Sequence, residues 1–137
     1  MDDALVRLVW QRADSRCEYC RMPQEHDELS FEIDHVIACQ HSGPTRPGNL
    51  ALACSLCNDS KNNRIAALDP VTGEVVRLFD PRHQVWGEHF GWSLEGDRIL
   101  GLTPVGRATA AALNLNRPAL VKARQAWVAV GWHPPKD

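Results

Sequence analysis

Hydrophobic positions recur at helical spacing near the start of the chain, where Leu5, Leu8 and Val9 share a face with the stem of Arg12. Asp2 or Asp3 can cap that helix, and Asp14 lies near its end. Phe31, Ile33 and Val36–Ile37 read as a strand, and the run Leu50–Ala53 reads as a short second one. Between them His41–Gly48 is dense in Pro and Gly, which excludes regular structure. Asn58-Asp59-Ser60 supplies cap residues for a helix expected to reach about Leu68. A turn at Asp69–Gly73 then leads to a strand over Val75–Phe79, and a turn at Glu95–Asp97 separates strands around His89–Leu94 and Arg98–Leu102. Thr103-Pro104 opens a helix through Leu113, and Pro118 opens a last one carrying Leu120, Val121, Arg124, Trp127 and Val128. The pattern predicts an α+β fold with an N-terminal helix, a β-β-α unit, and a C-terminal hairpin with helices. Nothing repeats internally.

Composition narrows the class. The 137 residues, 44% hydrophobic and 23% charged, suit one globular domain and exclude a disordered chain. No apolar run approaches the roughly 20 residues that cross a bilayer, and Met-Asp-Asp-Ala carries acid where a signal peptide carries base. The expectation is a cytoplasmic protein without a membrane partner. Charge is unevenly spread: residues 1–69 hold 7 basic against 11 acidic side chains, and residues 70–137 hold 8 against 6. Between Gly106 and Ala126 the basic residues Arg107, Arg117, Lys122 and Arg124 meet no acid. That stretch is compatible with phosphate binding and equally with a solvated helix face.

Four of the five cysteines form two Cys-x-x-Cys pairs, Cys17/Cys20 and Cys54/Cys57. Disulfides are not expected in a cytosolic chain, whereas two pairs supply the thiolates of a tetrahedral structural Zn²⁺ site. The 33 residues between the pairs mean that the metal staples two distant knuckles with a segment looped out. The fifth cysteine, Cys39, reads as a small buried hydrophobe.

The looped-out segment carries the chemistry. Asp34 is followed directly by His35, and Asn58 follows the second cysteine pair. Asp34 and Asn58 are oxygen ligands that suit a hard cation such as Mg²⁺, and an imidazole titrating near neutrality suits general-base work on water. These are the parts for metal-assisted hydrolysis of a phosphodiester. Neighbours on a regular strand point to opposite faces, so the strand must be distorted or ending at this pair.

With Asn49 and Lys61 included, the order Cys17-x-x-Cys20, Asp34-His35, Asn49, Cys54-x-x-Cys57-Asn58-x-x-Lys61 resembles the HNH endonuclease family and its ββα-metal fold. Asp80-Pro-Arg82 through Trp86, His89-Phe90 and Gly101–Thr109 also resemble a downstream extension of small bacterial HNH proteins. The resemblance implies a single HNH domain over 1–137, with its core at 15–68 and an extension over 69–137. It implies His35 as general base, Asp34 and Asn58 as ligands of a catalytic Mg²⁺ or Mn²⁺, and Asn49 as the residue that fixes the loop and helps to orient the base. The family often has histidine where this chain has Asn58; an oxygen donor there tilts preference toward Mg²⁺ or Mn²⁺. The partner implied is duplex DNA, cut one strand at a time by a chain with one site. Monomer and homodimer both remain open.

Other residues carry weaker signals. Lys61, Arg82, His89, Arg117, Lys122 and Arg124 are possible substrate contacts, and His41 and Arg46 lie on the loop near the expected site. Trp10, Trp86, Trp92, Trp127 and Trp132 are expected in the core. The rival reading is a non-catalytic zinc-knuckle module that binds nucleic acid or protein; an RNA-directed nuclease is weaker, because no aromatic array like those of single-strand RNA readers is present.

Overall fold

Helix α1 (Asp3–Arg12) starts where the sequence places a cap: the Asp2 carboxylate accepts from the Leu5 amide over 2.9 Å. The computed structural model describes residues 1–135. They form two compact units, Met1–Ile65 with Asp80–Gln84, and Ala66–Phe79 with the chain from Val85 onward.

In the first unit α1 ends in two left-handed residues, Asp14 and Ser15, each at φ 53°. The chain then turns sharply through the first knuckle, where the Arg21 amide donates to Cys17 O and the Cys17 amide to Met22 O, both over 2.9 Å. Strand β1 (Glu32–His35) pairs antiparallel with β2 (Leu50–Ala53), setting Asp34 opposite Ala51 and His35 opposite Leu50. All four β2 side chains are buried, with α1 packed against the strand. Strand β1 is shorter than the expected Phe31–Ile37 and ends at His35 without a bulge. Ile37 leaves the ladder because the Asn49 side chain takes over its backbone hydrogen bonds.

The next helix departs from the sequence expectation at both ends. Helix α2 spans Ser55–Lys61, capped by the Cys54 sulfur accepting from the Cys57 amide, and Asn62 at φ 53° terminates it. Ala66–Leu68 is strand β3, paired with β4 (Val75–Arg77). The polar triplet at 58–60 therefore lies inside the helix. A thiol in the cap position and an asparagine in the left-handed region set the boundaries.

The second unit is built around α4 (Pro104–Ala112), which packs on β3, β4, the short helix α3 (Trp86–His89) and strand β6 (Ile99–Gly101). Strand β5 (Phe90–Trp92) pairs with β6, and α5 (Pro118–Ala129) closes the described chain. Helix α3 was not expected; it takes His89 out of the predicted strand. Thr103 caps α4 by accepting from the Gly106 amide over 3.1 Å, with Pro104 in its first turn. Gly101 and Gly106 are required here, since a Cβ on either would enter the backbone of Arg107 or His89. Phe79, Trp86, Phe90 and Trp92 pack ring against ring, while Trp132 is exposed, unlike the core position expected for it. No helix among the described residues is long and apolar enough to cross a membrane.

Candidate active site

The two knuckles bring Cys17, Cys20, Cys54 and Cys57 together, with sulfurs all within 4.8 Å of one another and all four residues buried. The Cys20 and Cys54 sulfurs lie 3.8 Å apart. A tetrahedron of ~2.3 Å Zn–S bonds has edges close to this value. Within the cluster hydrogen bonds, that of Cys17 foremost, hold the Cys54 and Cys20 thiols down, whereas burial pushes the Cys17 thiol up and the hydrogen bond with Cys17 pushes that of Cys57 up. The donor set fits Zn²⁺ and could hold it. Glu18, between the first two cysteines, locks the knuckle to the outer edge of β2. Its amide donates to Leu52 O and its carboxylate accepts from the Leu52 amide, both over 2.8 Å. Burial pushes the Glu18 carboxyl up, opposed by Leu52, Arg82 and Arg12.

Beside this staple, a cleft of about 210 Å³ is lined by Asp34, His35, Cys39, Asn58, Asn62 and Asn63 among others. Strand β1 delivers the first two and α2 with its C-terminal turn delivers the asparagines. Asp34 is 4% exposed and held from two sides. Tyr19 Oη donates to its Oδ2 over 2.7 Å, and Lys61 Nζ lies 3.2 Å from Oδ1 and 3.1 Å from Oδ2. Burial pushes the Asp34 carboxyl up, while Lys61 and Tyr19 oppose the shift. The Tyr19 phenol is pushed well up by its own burial and by Asp34, so it remains a donor.

His35 faces a different environment. Its Nε2 lies 2.9 Å from Thr45 Oγ1 on the loop, and its backbone oxygen accepts from Lys61 Nζ over 3.1 Å. The loop is held by Asn49, which is 6% exposed. Asn49 Oδ1 accepts from the Ile37 amide over 2.9 Å, and its Nδ2 donates to Ile37 O over 3.0 Å and to Pro44 O over 2.9 Å. Asn58 donates from Nδ2 to Glu32 Oε1 over 3.1 Å, and among the described residues its oxygen accepts no hydrogen bond. A hard cation fits this donor set: Asp34 Oδ1 carries a single contact and retains acceptor capacity, and Asn58 lines the same cleft.

Several expected substrate contacts are spent elsewhere. Lys61, 1% exposed, is paired with Asp34 and does not face solvent. Arg82 is paired with Glu18 and nearly buried. Arg124, also 1% exposed, donates to Leu115 O over 2.8 Å and to Asp97 O over 3.2 Å, with its guanidinium over the Trp92 ring. These three are taken up by protein partners, and within the acid-free stretch Arg107 is also held in a two-bond pair with Asp69. Arg117 caps α5 and donates to Asn114 O, and Lys122 is exposed. His89 Nδ1 lies 2.7 Å from Thr103 Oγ1, within the α4 cap. Cys39 is exposed on the cleft, correcting its expected burial. His41 and Arg46 are exposed loop residues.

The sequence reading missed Tyr19, Thr45, Asn62 and Glu18. Tyr19 and Glu18 sit inside the first Cys-x-x-Cys pair, where a buried polar side chain was the available signal. Nothing local marks Thr45.

Residues 17–64 match the model of the HNH endonuclease family. No match was found among curated proteins or among solved structures. The matched segment contains the cysteine cluster, the cleft-lining strand and α2.

Proposed function

We propose that the protein is a metal-dependent DNA endonuclease that nicks one strand of a duplex at a time. The observation that carries this reading is the convergence of Asp34, His35 and Asn58 on one cleft, inside the segment that matches the family. Asp34 and Asn58 would hold a Mg²⁺ or Mn²⁺ ion, which when bound supplies charge neutralisation at the scissile phosphate and its leaving oxygen. His35 takes the proton of the attacking water. In the tautomer whose Nε2–H donates to Thr45 Oγ1, Nδ1 is the basic nitrogen. Asn49 positions the base indirectly: its amide holds Pro44, and Thr45 is the next residue. The four thiolates hold the two knuckles, and with them β1, β2 and α2, so the cleft does not have to be organised by substrate.

A second reading is a module that binds nucleic acid without cutting it. The Lys61 ammonium already on Asp34 favours that reading, because it neutralises the carboxylate that would attract a cation. Supercoiled plasmid separates the two. Zinc-loaded protein with Mg²⁺ or Mn²⁺ should convert it to open circle, and a chelator that spares the zinc should stop the conversion. Retention of plasmid in a gel shift with no conversion under either ion supports the binding module.

A further inference from the structure

Tyr19 is the chain's one tyrosine, and it stands between the cysteines of the first knuckle. Its side chain is fully buried, and its hydroxyl donates to Asp34 Oδ2 over 2.7 Å. The other partner of Asp34, Lys61, lies at nearly equal distances from both carboxylate oxygens. Lys61 therefore fixes the charge of the carboxylate but does not tell one oxygen from the other. Tyr19 does, because it takes Oδ2 alone and leaves Oδ1 with a single contact. Carboxylate rotation about its last bond is soft, so a donor that selects one oxygen decides which is presented. The backbone carrying Tyr19 is itself held: Glu18 exchanges two hydrogen bonds with Leu52, on the strand whose Ala51 lies opposite Asp34.

We propose that Tyr19 is a positioning residue for the divalent-cation site, and that through it the zinc knuckle sets the geometry of Asp34. This inference rests on the reading of Asp34 and Asn58 as cation ligands. Partners that orient a metal ligand typically change metal affinity by about 10–100-fold when removed. Removing only the hydroxyl keeps the ring that fills the core, so the effect should appear in cation binding and not in zinc content.

The test is titration of Mn²⁺ into zinc-loaded full-length protein by calorimetry, with the wild type, Asn58→Ala and Tyr19→Phe. The wild type should bind Mn²⁺, and Asn58→Ala should weaken that binding. Tyr19→Phe should weaken it by about 10–100-fold while keeping about one zinc per chain. No Mn²⁺ binding by the wild type, or unchanged binding by Asn58→Ala, overturns the ligand reading and this inference with it. Weakened binding by Asn58→Ala with wild-type binding by Tyr19→Phe overturns this inference alone. Should Tyr19→Phe lose zinc, fluorotyrosine incorporation decides without a substitution, since a single tyrosine gives a single fluorine resonance. That resonance should move during a Mg²⁺ titration, with the midpoint that a Mg²⁺ calorimetric titration of the same protein gives. Mg²⁺ binding with a stationary resonance overturns the proposal.

Discussion

Both units bury polar side chains, and they use them differently. In the first unit Glu18, Asp34, Asn49 and Lys61 are buried; in the second Asp69, Thr109 and Arg124 are. The second unit spends its three on its own connections. Thr109 Oγ1 accepts from the Phe79 amide, Asp69 closes the β3–β4 turn and pairs with Arg107, and Arg124 donates to the backbone of residues 97 and 115. In the first unit Lys61, with Tyr19, converges on two residues that line a cleft, Asp34 and His35, while Glu18 and Asn49 hold the knuckle and the loop. A buried charge is therefore no marker of a site by itself. What marks one is a buried charge whose partner also reaches a cleft. The comparison extends to packing: the first unit gathers four thiols with no disulfide, whereas the second unit holds an aromatic cluster.

The largest expected effect breaks this contrast at the staple. Cys54→Ser removes a zinc ligand while leaving a hydroxyl that can still accept from the Cys57 amide as the α2 cap. Structural zinc contributes about 10–16 kcal/mol in zinc-finger peptides, so loss of the ion should unfold the first unit. Hydrogen exchange should show protection lost across residues 1–65 and retained around α4. Full zinc occupancy with unchanged exchange in the variant contradicts the assignment.

Arg124→Met is the corresponding break in the second unit. It strands the carbonyls of Leu115 and Asp97 and should cost about 2–4 kcal/mol of stability. Four of the five tryptophans lie in this unit, so the denaturant transition of their fluorescence reports it. A transition unmoved by the substitution means that Arg124 is not the clamp described.

A smaller effect is acid-dependent. Arg107 foremost, with the Val71 amide and the Thr72 hydroxyl, holds the Asp69 carboxyl well below the usual carboxylate range. A depressed folded-state value stabilises the fold above the unfolded value of about 3.9 and is lost as pH falls below it. The melting temperature of the second unit should fall on acidification below about pH 4, and Asp69→Asn should flatten that limb. An acid limb of the same steepness in the variant refutes the role of the pair.

The smallest concerns the exposed Lys122. Lys122→Glu should change stability by no more than about 0.5 kcal/mol. If this helix touches DNA phosphate, the variant should lower duplex affinity and reduce the salt slope by about 1, readable in a binding titration at several salt concentrations. An unchanged slope leaves α5 a solvated surface.

Local signals were legible where one residue type decides local structure. Leu50–Ala53 forms the predicted strand because its four apolar side chains fit only a fully buried one, and Thr103-Pro104 opens α4 as a cap followed by proline must. The paired cysteines foretold the cluster because ligand spacing is itself a distance constraint. What was lost depends on distant partners. Arg124 reads as a solvated cation until the carbonyls of Leu115 and Asp97 are brought to it. The cap of α2 was misplaced because a cysteine is not read as a cap unless its sulfur is known to turn inward. Thr45 carries no local mark and Tyr19 only its place inside a knuckle, since their partners His35 and Asp34 lie 10 and 15 residues away in sequence.

If His35 does the chemistry on a scaffold that other residues hold, His35→Ala is the decisive variant in the plasmid assay. General-base catalysis typically contributes about 10²–10⁴-fold, and a base adds little to ground-state affinity. The variant should therefore lose cleavage by about that factor while keeping its zinc and its affinity for DNA. Raising Mg²⁺ or Mn²⁺ should not restore it, because added metal does not replace a proton acceptor. His41→Ala, on the loop, should cut as the wild type does. Cleavage at wild-type rate by His35→Ala, with His41→Ala inactive, would contradict the account and move the base from the strand to the loop.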